Sequence, residues 1–362
     1  MKKIVTFGEI MGRICPDNNL RFKQSMPGKQ NLTFAGAEAN VAASIAMLGG
    51  DATFVTSLPD NDITDACLST LRGLKVNVDY VNKSKVGRMG LYFVEKGANQ
   101  RPSRVIYDRE YSSVSMVDGA TYDWNKIFDG AAWFHFTGIT PSLSKVAAEA
   151  SLTAAKAAKA AGLTVSCDLN FRKKLWQWGE EKGATELAGE VMSGLLPYID
   201  VVIANEEDMA DVLGIEGSDV HGGVIDADRY VEVAREAVRL FPNISKVAIT
   251  LRESLSATHN NWGAMLYDVA TNTPCFAPLD SNGEYAPYEI KNIIDRVGGG
   301  DSFGAGLVYA LNSDSLSEPS DAIRFAVASS CLCHSIEGDF NYVSLDEVLS
   351  LMGGSASGRV VR

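Results

Sequence analysis

Strand-like and helix-like stretches alternate regularly in the sequence from residue 127 onward. The strand-like runs are 131–136, 163–167, 201–204 and 246–251. The helix-like runs between them include the alanine-rich segment 147–161, which stops at Gly162, and the amphipathic segment 229–240. Strands and helices that alternate at these lengths predict an α/β fold, in which helices cover both faces of a mostly parallel central sheet.

The N-terminal part supplies further elements of the same kind. Residues 3–7 are predicted to form a buried strand. Residues 37–48 carry small apolar side chains at helical spacing, and a glycine pair ends the run. A strand at 52–58 and a helix at 62–72 follow. We expect these elements to belong to the same α/β domain.

Two other segments, residues 9–33 and 75–111, have no room for long helices. Strand-like residues of the second segment are Val76, Val78, Tyr80, 89–94 and 104–107. We predict that the two segments form a small separate β-sheet, which acts as a lid if one face covers a cleft. The predicted division is therefore an α/β domain at 1–8, 34–74 and 112–352, a lid at 9–33 and 75–111, and a tail at 353–362. Because exposed edge strands pair readily, we also expect the lid to join subunits into a homo-oligomer.

Composition argues against several classes of function. The 362 residues carry a formal net charge of -12, which disfavours nucleic-acid binding because phosphate backbones are held mainly by lysine and arginine. No apolar run approaches the roughly 18 residues typical of a membrane span. The six cysteines include no Cys-x-x-Cys pair, so we expect reduced thiols, a cytoplasmic protein and no structural zinc.

A glycine-rich stretch lies between a strand-like run at 288–294 and a helix-like run at 302–311. It contains three consecutive glycines, 298–300, followed directly by Asp301. Glycine lets backbone N–H groups approach a ligand closely, and a helix N-terminus adds partial positive charge. We therefore predict an anion site suited to phosphate. Asp301 is then either the N-cap of the helix or a general base that faces the bound group.

Three polar clusters follow predicted parallel strands: 168–172, 205–208 and 250–253. Ligands of open α/β sheets bind beyond the carboxyl ends of the strands, so we expect these clusters and the glycine-rich stretch to converge on one site. Glu206, Glu207 and Asp208 either order Mg²⁺ through water or form the solvated acidic start of a helix.

The glycine-rich stretch differs from two common phosphate-binding motifs. No lysine follows the glycines, as a Walker motif requires, and Phe303 occupies the third-glycine position of a dinucleotide-binding fingerprint. The pattern Asp-x-x-Gly-x-Gly-Asp-x-Phe-x-x-Gly at 295–306 resembles the second signature of the ribokinase-like (PfkB) carbohydrate kinases. Gly36-Ala37-x-x-Asn40-Val41-Ala42 resembles their first signature, with Ala35 where the family usually has another glycine.

The resemblance implies a ribokinase-like α/β fold with a small β lid, ATP as the phosphoryl donor, Mg²⁺, and, in many relatives, a response to K⁺. Asp301 would be the general base that accepts the proton of the substrate hydroxyl. The amides of Gly298, Gly299 and Gly300 would stabilise charge on the transferred phosphoryl group.

Segments 100–109, 168–176 and 338–341 resemble the 2-keto-3-deoxygluconate kinases of that family. The residues implied to contact the sugar acid are Gly36, Ala37, Asn40, Tyr92, Tyr107, Arg109, Arg172 and Asp301. Those implied for the nucleotide side are Asn170, Arg172, Asn205, Thr250, Arg252, Gly298 and Gly300. Planar arginine suits a sugar-acid carboxylate because it can pair with it bidentately. The family often has glycine after the Thr-Leu pair, where this chain has Arg252 and an insert at 260–262.

The sequence thus predicts ATP-dependent phosphorylation of 2-keto-3-deoxy-D-gluconate at its terminal hydroxyl, giving the 6-phosphate. The alternatives are a PfkB-type kinase for fructose, a ribose-like sugar or a nucleoside, and a non-catalytic sugar-acid sensor that uses the same pocket. A dehydrogenase is disfavoured because no dinucleotide fingerprint follows the first strand. The gluconate and galactonate epimers are not distinguished by these residues.

Overall fold

A computed structural model describes residues 1–215 and 227–355 of the chain. The strands are β1 Lys3–Phe7, β2 Met11–Cys15, β3 Asn31–Ala35, β4 Ala52–Val55, β5 Ser57–Pro59, β6 Asn82–Ser84, β7 Gly90–Glu95, β8 Arg104–Asp108, β9 Ala131–Thr137, β10 Thr164–Asp168, β11 Val201–Ala204, β12 Lys246–Ser256, β13 His259–Asp268, β14 Thr273–Ala277 and β15 Tyr288–Lys291. The helices are α1 Phe22–Ser25, α2 Ala37–Met47, α3 Asp62–Gly73, α4 Ser113–Met116, α5 Trp124–Phe128, α6 Ile139–Ser142, α7 Lys145–Ala160, α8 Ala184–Leu195, α9 Glu206–Leu213, α10 Ala227–Leu240, α11 Gly299–Leu311, α12 Pro319–Cys333 and α13 Leu345–Met352. Of the predicted tail, residues 356–362 lie outside the described part. Within the two described ranges, no helix combines the length and apolar character needed to cross a membrane.

In the described part of the chain, the main sheet has nine strands in the order β14-β13-β12-β11-β10-β9-β1-β4, with β15 also paired to β13. Every pair from β4 to β12 is parallel. Beyond β12, the strands β13, β14 and β15 extend the sheet with antiparallel pairs. The predicted α/β class with a mostly parallel central sheet is therefore confirmed.

Both faces of the main sheet are buried under helices. Ile203 of β11 belongs to an apolar cluster with residues of α2, α11 and α12, whereas its neighbour Val202 belongs to a cluster with residues of α7 and α8. All four residues of β11 are buried. A parallel strand covered on both faces needs apolar side chains at consecutive positions, which explains the uninterrupted apolar run at 201–204.

A second sheet of four strands, in the order β3-β2-β7-β8, stands apart from the main sheet. Met11, Tyr92 and Val94 are buried on one of its faces, whereas Leu32 and Ile106 are more than half exposed, at 53% and 56%. The outer pairs are antiparallel, and β2 and β7 run parallel. The predicted small separate β-sheet is therefore confirmed.

Two predicted strands in the N-terminal half of the chain differ from the observed ones. Val76, Val78 and Tyr80 were expected to form a strand, but they lie in a connection outside the strands. Val76 and Val78 are apolar at alternate positions because both pack into the core of the main domain. The predicted strand at 52–58 is interrupted at Thr56 and contributes to two sheets, β4 to the main one and β5 to a short pair with β6.

Candidate active site

A cavity of about 540 Å³ lies beyond the carboxyl ends of β10 and β11, with one wall supplied by the small sheet. The predicted site residues that line it are Gly36, Ala37, Asn40, Tyr92, Tyr107, Arg109, Asn170, Arg172, Asn205, Glu206, Glu207, Asp208, Thr250, Arg252, Gly298, Gly300 and Asp301. Asp168, from the predicted cluster 168–172, also lines it. Lining residues that were not singled out from the sequence include Met11, Val105, Ile139, Ser254, Trp262, Arg296, Val297 and Asp339. The strand-end clusters and the glycine-rich stretch do converge on one space.

Helix α11 begins within the glycine-rich stretch, earlier than predicted from the sequence. Gly298 is the N-cap, with φ +84°, and the helix starts at Gly299 rather than at residue 302. A Cβ at Gly298 would lie 2.4 Å from the carbonyl oxygen of Asp339, so only glycine fits there. Gly299 is buried, and a Cβ there would lie 3.0 Å from Cε1 of His334. It is the one predicted site residue that does not line the cavity. The strand before the stretch is also shorter than predicted and ends at Lys291.

Asp301 is the third residue of α11, so the N-cap alternative for this carboxylate is wrong. Its Oδ2 accepts a hydrogen bond of 2.7 Å from Nδ2 of Asn40 in α2. Burial raises the pKa of Asp301 to about 7, and the Asn40 hydrogen bond opposes that rise. A carboxylate with a pKa near neutrality on a cavity wall has the proton affinity that a general base needs.

The N-terminus of α2 closely approaches the connection between β1 and β2 at Gly36. A Cβ at this position would lie 2.0 Å from the carbonyl oxygen of Glu9, so a side chain cannot be accommodated. The Gly36 N–H donates to Oδ1 of Asn40 at 3.3 Å. Asn40 therefore connects Gly36 to Asp301, and its amide is already engaged with both groups.

Arg109 reaches the cavity from the segment after β8. It is buried, its Nε donates to Oε2 of Glu9 at 2.7 Å, and its guanidinium lies 5.5 Å from the centre of the Tyr107 ring. Glu9 was not predicted, although it lies two residues after β1, at the carboxyl end of a parallel strand. The pair fixes the orientation of the Arg109 side chain and offsets much of its charge.

Arg172 reaches the cavity from the loop after β10 and is exposed. Its Nη1 donates to the carbonyl oxygen of Phe171 at 2.8 Å. The pKa of Asp168 is raised well above its usual value by burial, then by the charges of Asp208 and Asp301, and Arg172 opposes that rise. Arg172 is thus the cationic group beside three carboxyl groups on this wall.

The acidic start of α9 is a helix cap in this structure. The N–H of Asp208 donates to Oδ1 of Asn205, and the Asn205 N–H donates to Oδ2 of Asp208, at 2.8 and 3.1 Å. The other oxygen of Asp208 accepts the Phe171 N–H at 2.9 Å, so both carboxylate oxygens are engaged by backbone. Glu206 is hydrogen-bonded by Tyr230, whereas Glu207 is exposed on the cavity wall. Asp208 therefore caps the helix, and a metal role for Glu206, Glu207 or Asp208 stays a prediction.

The cluster at 250–253 was expected at a strand end, but it lies inside β12, which continues to Ser256. The predicted insert at 260–262 is the returning strand β13, and Arg252 stands opposite Trp262 in the hairpin. Arg296, which was not predicted, lines the same wall and donates to Oδ1 of Asn260 at 2.6 Å. Burial, and next the charge of Arg252, lowers the pKa of Arg296, so two guanidinium groups add positive charge to this side of the cavity.

A sequence model of the pfkB family carbohydrate kinases matches residues 1–341 of the chain. The 2-dehydro-3-deoxygalactonokinase of Haloferax volcanii is 30% identical over 361 residues, which cover 98% of each chain. The crystal structure of the 2-dehydro-3-deoxygluconokinase of Thermotoga maritima is 43% identical, with a TM-score of 0.87 over 98% of this chain and 100% of that one. The structure of a PfkB family carbohydrate kinase from Listeria grayi is 28% identical, with a TM-score of 0.83 over 97% and 100% of the two chains.

Proposed function

Because this chain belongs to the pfkB family of carbohydrate kinases, we propose that it phosphorylates a 2-keto-3-deoxy sugar acid with ATP, and that the acid is 2-keto-3-deoxy-D-gluconate. One observation carries the proposal. Asp301 and the first turn of α11 share a cavity with two arginines, Arg109 and Arg172. A base beside an anion-binding helix end serves phosphoryl transfer, and arginines in the same space suit an acceptor that is itself an acid.

In the proposed reaction, the terminal hydroxyl oxygen of the sugar acid attacks the γ-phosphorus of ATP. The bond from that phosphorus to the bridging oxygen breaks, ADP leaves, and the hydroxyl proton passes to Asp301. The 2.7 Å hydrogen bond from Asn40 orients the carboxylate for this transfer. The amides of Gly300 and Asp301, in the first turn of α11, have no earlier helical carbonyl to bind and would stabilise the negative charge of the phosphoryl group.

The sugar acid is proposed to bind between the small sheet and the main sheet. Tyr92 and Tyr107 come from the small sheet, and Gly36 and Ala37 come from the start of α2. Since Glu9 already pairs with Arg109, the exposed Arg172 is the better candidate for the direct carboxylate contact. The paired Arg109 would then hold the small-sheet wall and contribute a weaker attraction.

The nucleotide is proposed to lie along Asn170, Asn205, Thr250 and Arg252, ending at Gly298. Within residues 1–215 and 227–355, no three His, Cys, Asp or Glu side chains are grouped closely enough to hold a metal on their own. The exposed carboxylate of Glu207 on the cavity wall fits Mg²⁺, which binds through one or two carboxylates together with water and phosphate oxygens. Glu207 would hold it, and the ion would supply charge neutralisation for the phosphates. A response to K⁺ stays a prediction.

A substrate panel tests this proposal. With ATP and Mg²⁺, release of ADP is expected to be fastest with 2-keto-3-deoxy-D-gluconate and much slower with fructose, ribose and nucleosides. The name of the Haloferax relative favours a second candidate, the galactonate epimer, so both epimers belong in the panel. Preference for neutral fructose would reject the sugar-acid proposal, and no turnover with any acceptor would favour the sensor alternative.

Arg172→Lys is expected to raise the KM for the sugar acid about tenfold with little change in kcat, because a point charge cannot replace a bidentate fork. The initial-rate measurement varies the sugar acid at saturating ATP. Arg88→Lys is the matched control, since Arg88 pairs with the exposed Asp108 outside the cavity and should leave KM unchanged. An unchanged KM in the Arg172 variant would remove it from carboxylate recognition.

The pH dependence of kcat/KM should report Asp301. Its pKa is raised to about 7, and a base must be deprotonated to accept a proton. Activity should therefore increase with pH through neutrality and fall by about tenfold per unit below the pKa. Circular dichroism at each pH shows that the fold persists. A profile that stays level down to about pH 5 would mean that a group with an ordinary carboxyl pKa, or none, is titrating.

The small sheet, built mainly from segments 9–33 and 75–111, is proposed to be a lid and a subunit interface. Leu32 and Ile106 are apolar and more than half exposed. We expect light scattering to show a homo-oligomer and the double variant Leu32→Glu, Ile106→Glu to reduce it to monomers, because charge repels across an apolar contact. A wild-type protein that is monomeric at micromolar concentration would contradict this expectation.

A further inference from the structure

Arg13, on strand β2 of the small sheet, is buried between two carboxylates of the main domain. Only 2% of the residue is exposed. Its Nη1 lies 2.5 Å from Oδ1 of Asp339, and its Nη2 is paired with Oδ2 of Asp295. Arg13 does not line the cavity, and the reaction described above gives it no task.

Each of the two carboxylates holds a part of the phosphoryl-transfer site. Oδ1 of Asp295 accepts the N–H groups of Arg296 and Val297, at 2.9 and 3.2 Å, in the two positions before Gly298. The backbone of Asp339 packs directly on Gly298, whose absent Cβ would lie 2.4 Å from the Asp339 carbonyl oxygen. The guanidinium therefore joins the two segments that fix Gly298 in place.

The same cluster ties the small sheet to those segments. Tyr92 of β7 donates its hydroxyl to Oδ2 of Asp339 at 2.6 Å, next to the Arg13 contact. Although burial opposes it, the charges of Asp339 and Asp295 raise the pKa of Arg13, so the guanidinium stays ionised. The two buried carboxylates, which lie on different segments of the chain, would repel each other without this cation.

We propose that Arg13 is a positioning residue of the kinase: it holds the segments of Asp295 and Asp339 together and so places the Gly298 turn and Asp301 for phosphoryl transfer. Because Arg13 belongs to the small sheet, that placement also depends on how the small sheet packs against the main domain. The inference rests on the proposed site at Asp301, but it does not depend on which sugar is the acceptor.

Three variants test the proposal, each compared with the wild type on the best acceptor of the substrate panel. Arg13→Gln removes the charge, and we expect kcat to fall about 100-fold because a misplacement of the catalytic groups by about 1 Å has that effect. Arg13→Lys keeps the charge and is expected to fold, but it cannot fork between two carboxylates, so kcat should fall about tenfold. Lys96→Gln is the matched control. Lys96, directly after β7 of the small sheet, pairs at 2.6 Å with Glu337, two residues before Asp339, but Glu337 is mostly exposed.

Two readouts separate positioning from a general loss of stability. The KM values for ATP and the acceptor should change less than kcat. In a fourth variant, Arg13→Ala, guanidinium ion at non-denaturing millimolar concentration should restore part of the lost turnover. Circular dichroism confirms that the assayed variants are folded. Folded Arg13→Gln or Arg13→Lys with wild-type kcat, or losses equal to that of Lys96→Gln, would overturn the proposal. If the wild type preferred neutral sugars, the sugar-acid function would be rejected. The kcat of each variant relative to the wild type would still test the role of Arg13.

Discussion

Asp301→Asn is expected to lower kcat by about 10³-fold while leaving ATP binding nearly unchanged. The amide keeps the shape of the carboxyl group, and it can still accept the hydrogen bond from Asn40, but it cannot take the proton of the attacking hydroxyl. Single-turnover kinetics measure the chemical step, and calorimetric titration measures the affinity for ATP. A variant with a kcat within a factor of a few of the wild type would remove Asp301 as the base.

Stability provides the control for this variant. The folded-state pKa of Asp301 is about 7, above the ordinary value of 3.8, so ionising this group in the folded protein opposes folding as the pH rises above 3.8. The uncharged asparagine avoids that cost. We therefore expect the Tm of Asp301→Asn to equal or exceed that of the wild type at about pH 8. A loss of activity together with a lower Tm would point to misfolding rather than to a missing base.

Gly298→Ala is expected to damage both the fold and the reaction. The residue has φ +84°, and the new Cβ would meet the backbone carbonyl of Asp339, which cannot rotate away like a side chain. We expect the free energy of unfolding to decrease by about 3 kcal/mol, from the left-handed backbone and the collision together. Because the turn leads into α11 and Asp301, kcat should fall about 100-fold in the protein that remains folded.

Gly304→Ala is the matched control in the same helix. Its Cβ would find only Cδ1 of Ile203, at 3.6 Å, which is an ordinary contact. Alanine also favours helix over glycine, so denaturant unfolding should show equal or higher stability. If Gly298→Ala behaved like this control in both stability and kcat, the tight turn would not be a requirement of the site.

Local sequence patterns predicted the parts of the fold that depend on local burial. The run at 201–204 is apolar at every position because β11 is covered on both faces, and its predicted bounds match the strand. The end of β12 was missed because Arg252 and its neighbours are polar and partly exposed, and they pair only with β13. Helix α11 was predicted to start late because glycine has a low helix propensity, whereas here Gly299 and Gly300 form its first turn.

The same local patterns could not predict contacts between residues that are far apart in the sequence. Glu9 and Arg109 are 100 residues apart, and Arg13 and Asp339 are 326 apart. Nothing in the spacing of these residues says which charges meet inside the protein. The Asn205–Asp208 cap shows the opposite case, since an asparagine three residues before an acid is a local capping pattern, and an acidic helix start was one of the two alternatives predicted for 206–208.

The most direct test of the account is a crystal structure with 2-keto-3-deoxy-D-gluconate and a non-hydrolysable ATP analogue. We predict that the sugar carboxylate contacts the guanidinium of Arg172, that the terminal hydroxyl lies within hydrogen-bond distance of Asp301, and that the γ-phosphate faces the first turn of α11. A sugar bound with its carboxylate away from Arg172 and Arg109, or with its hydroxyl remote from Asp301, would contradict the proposed chemistry.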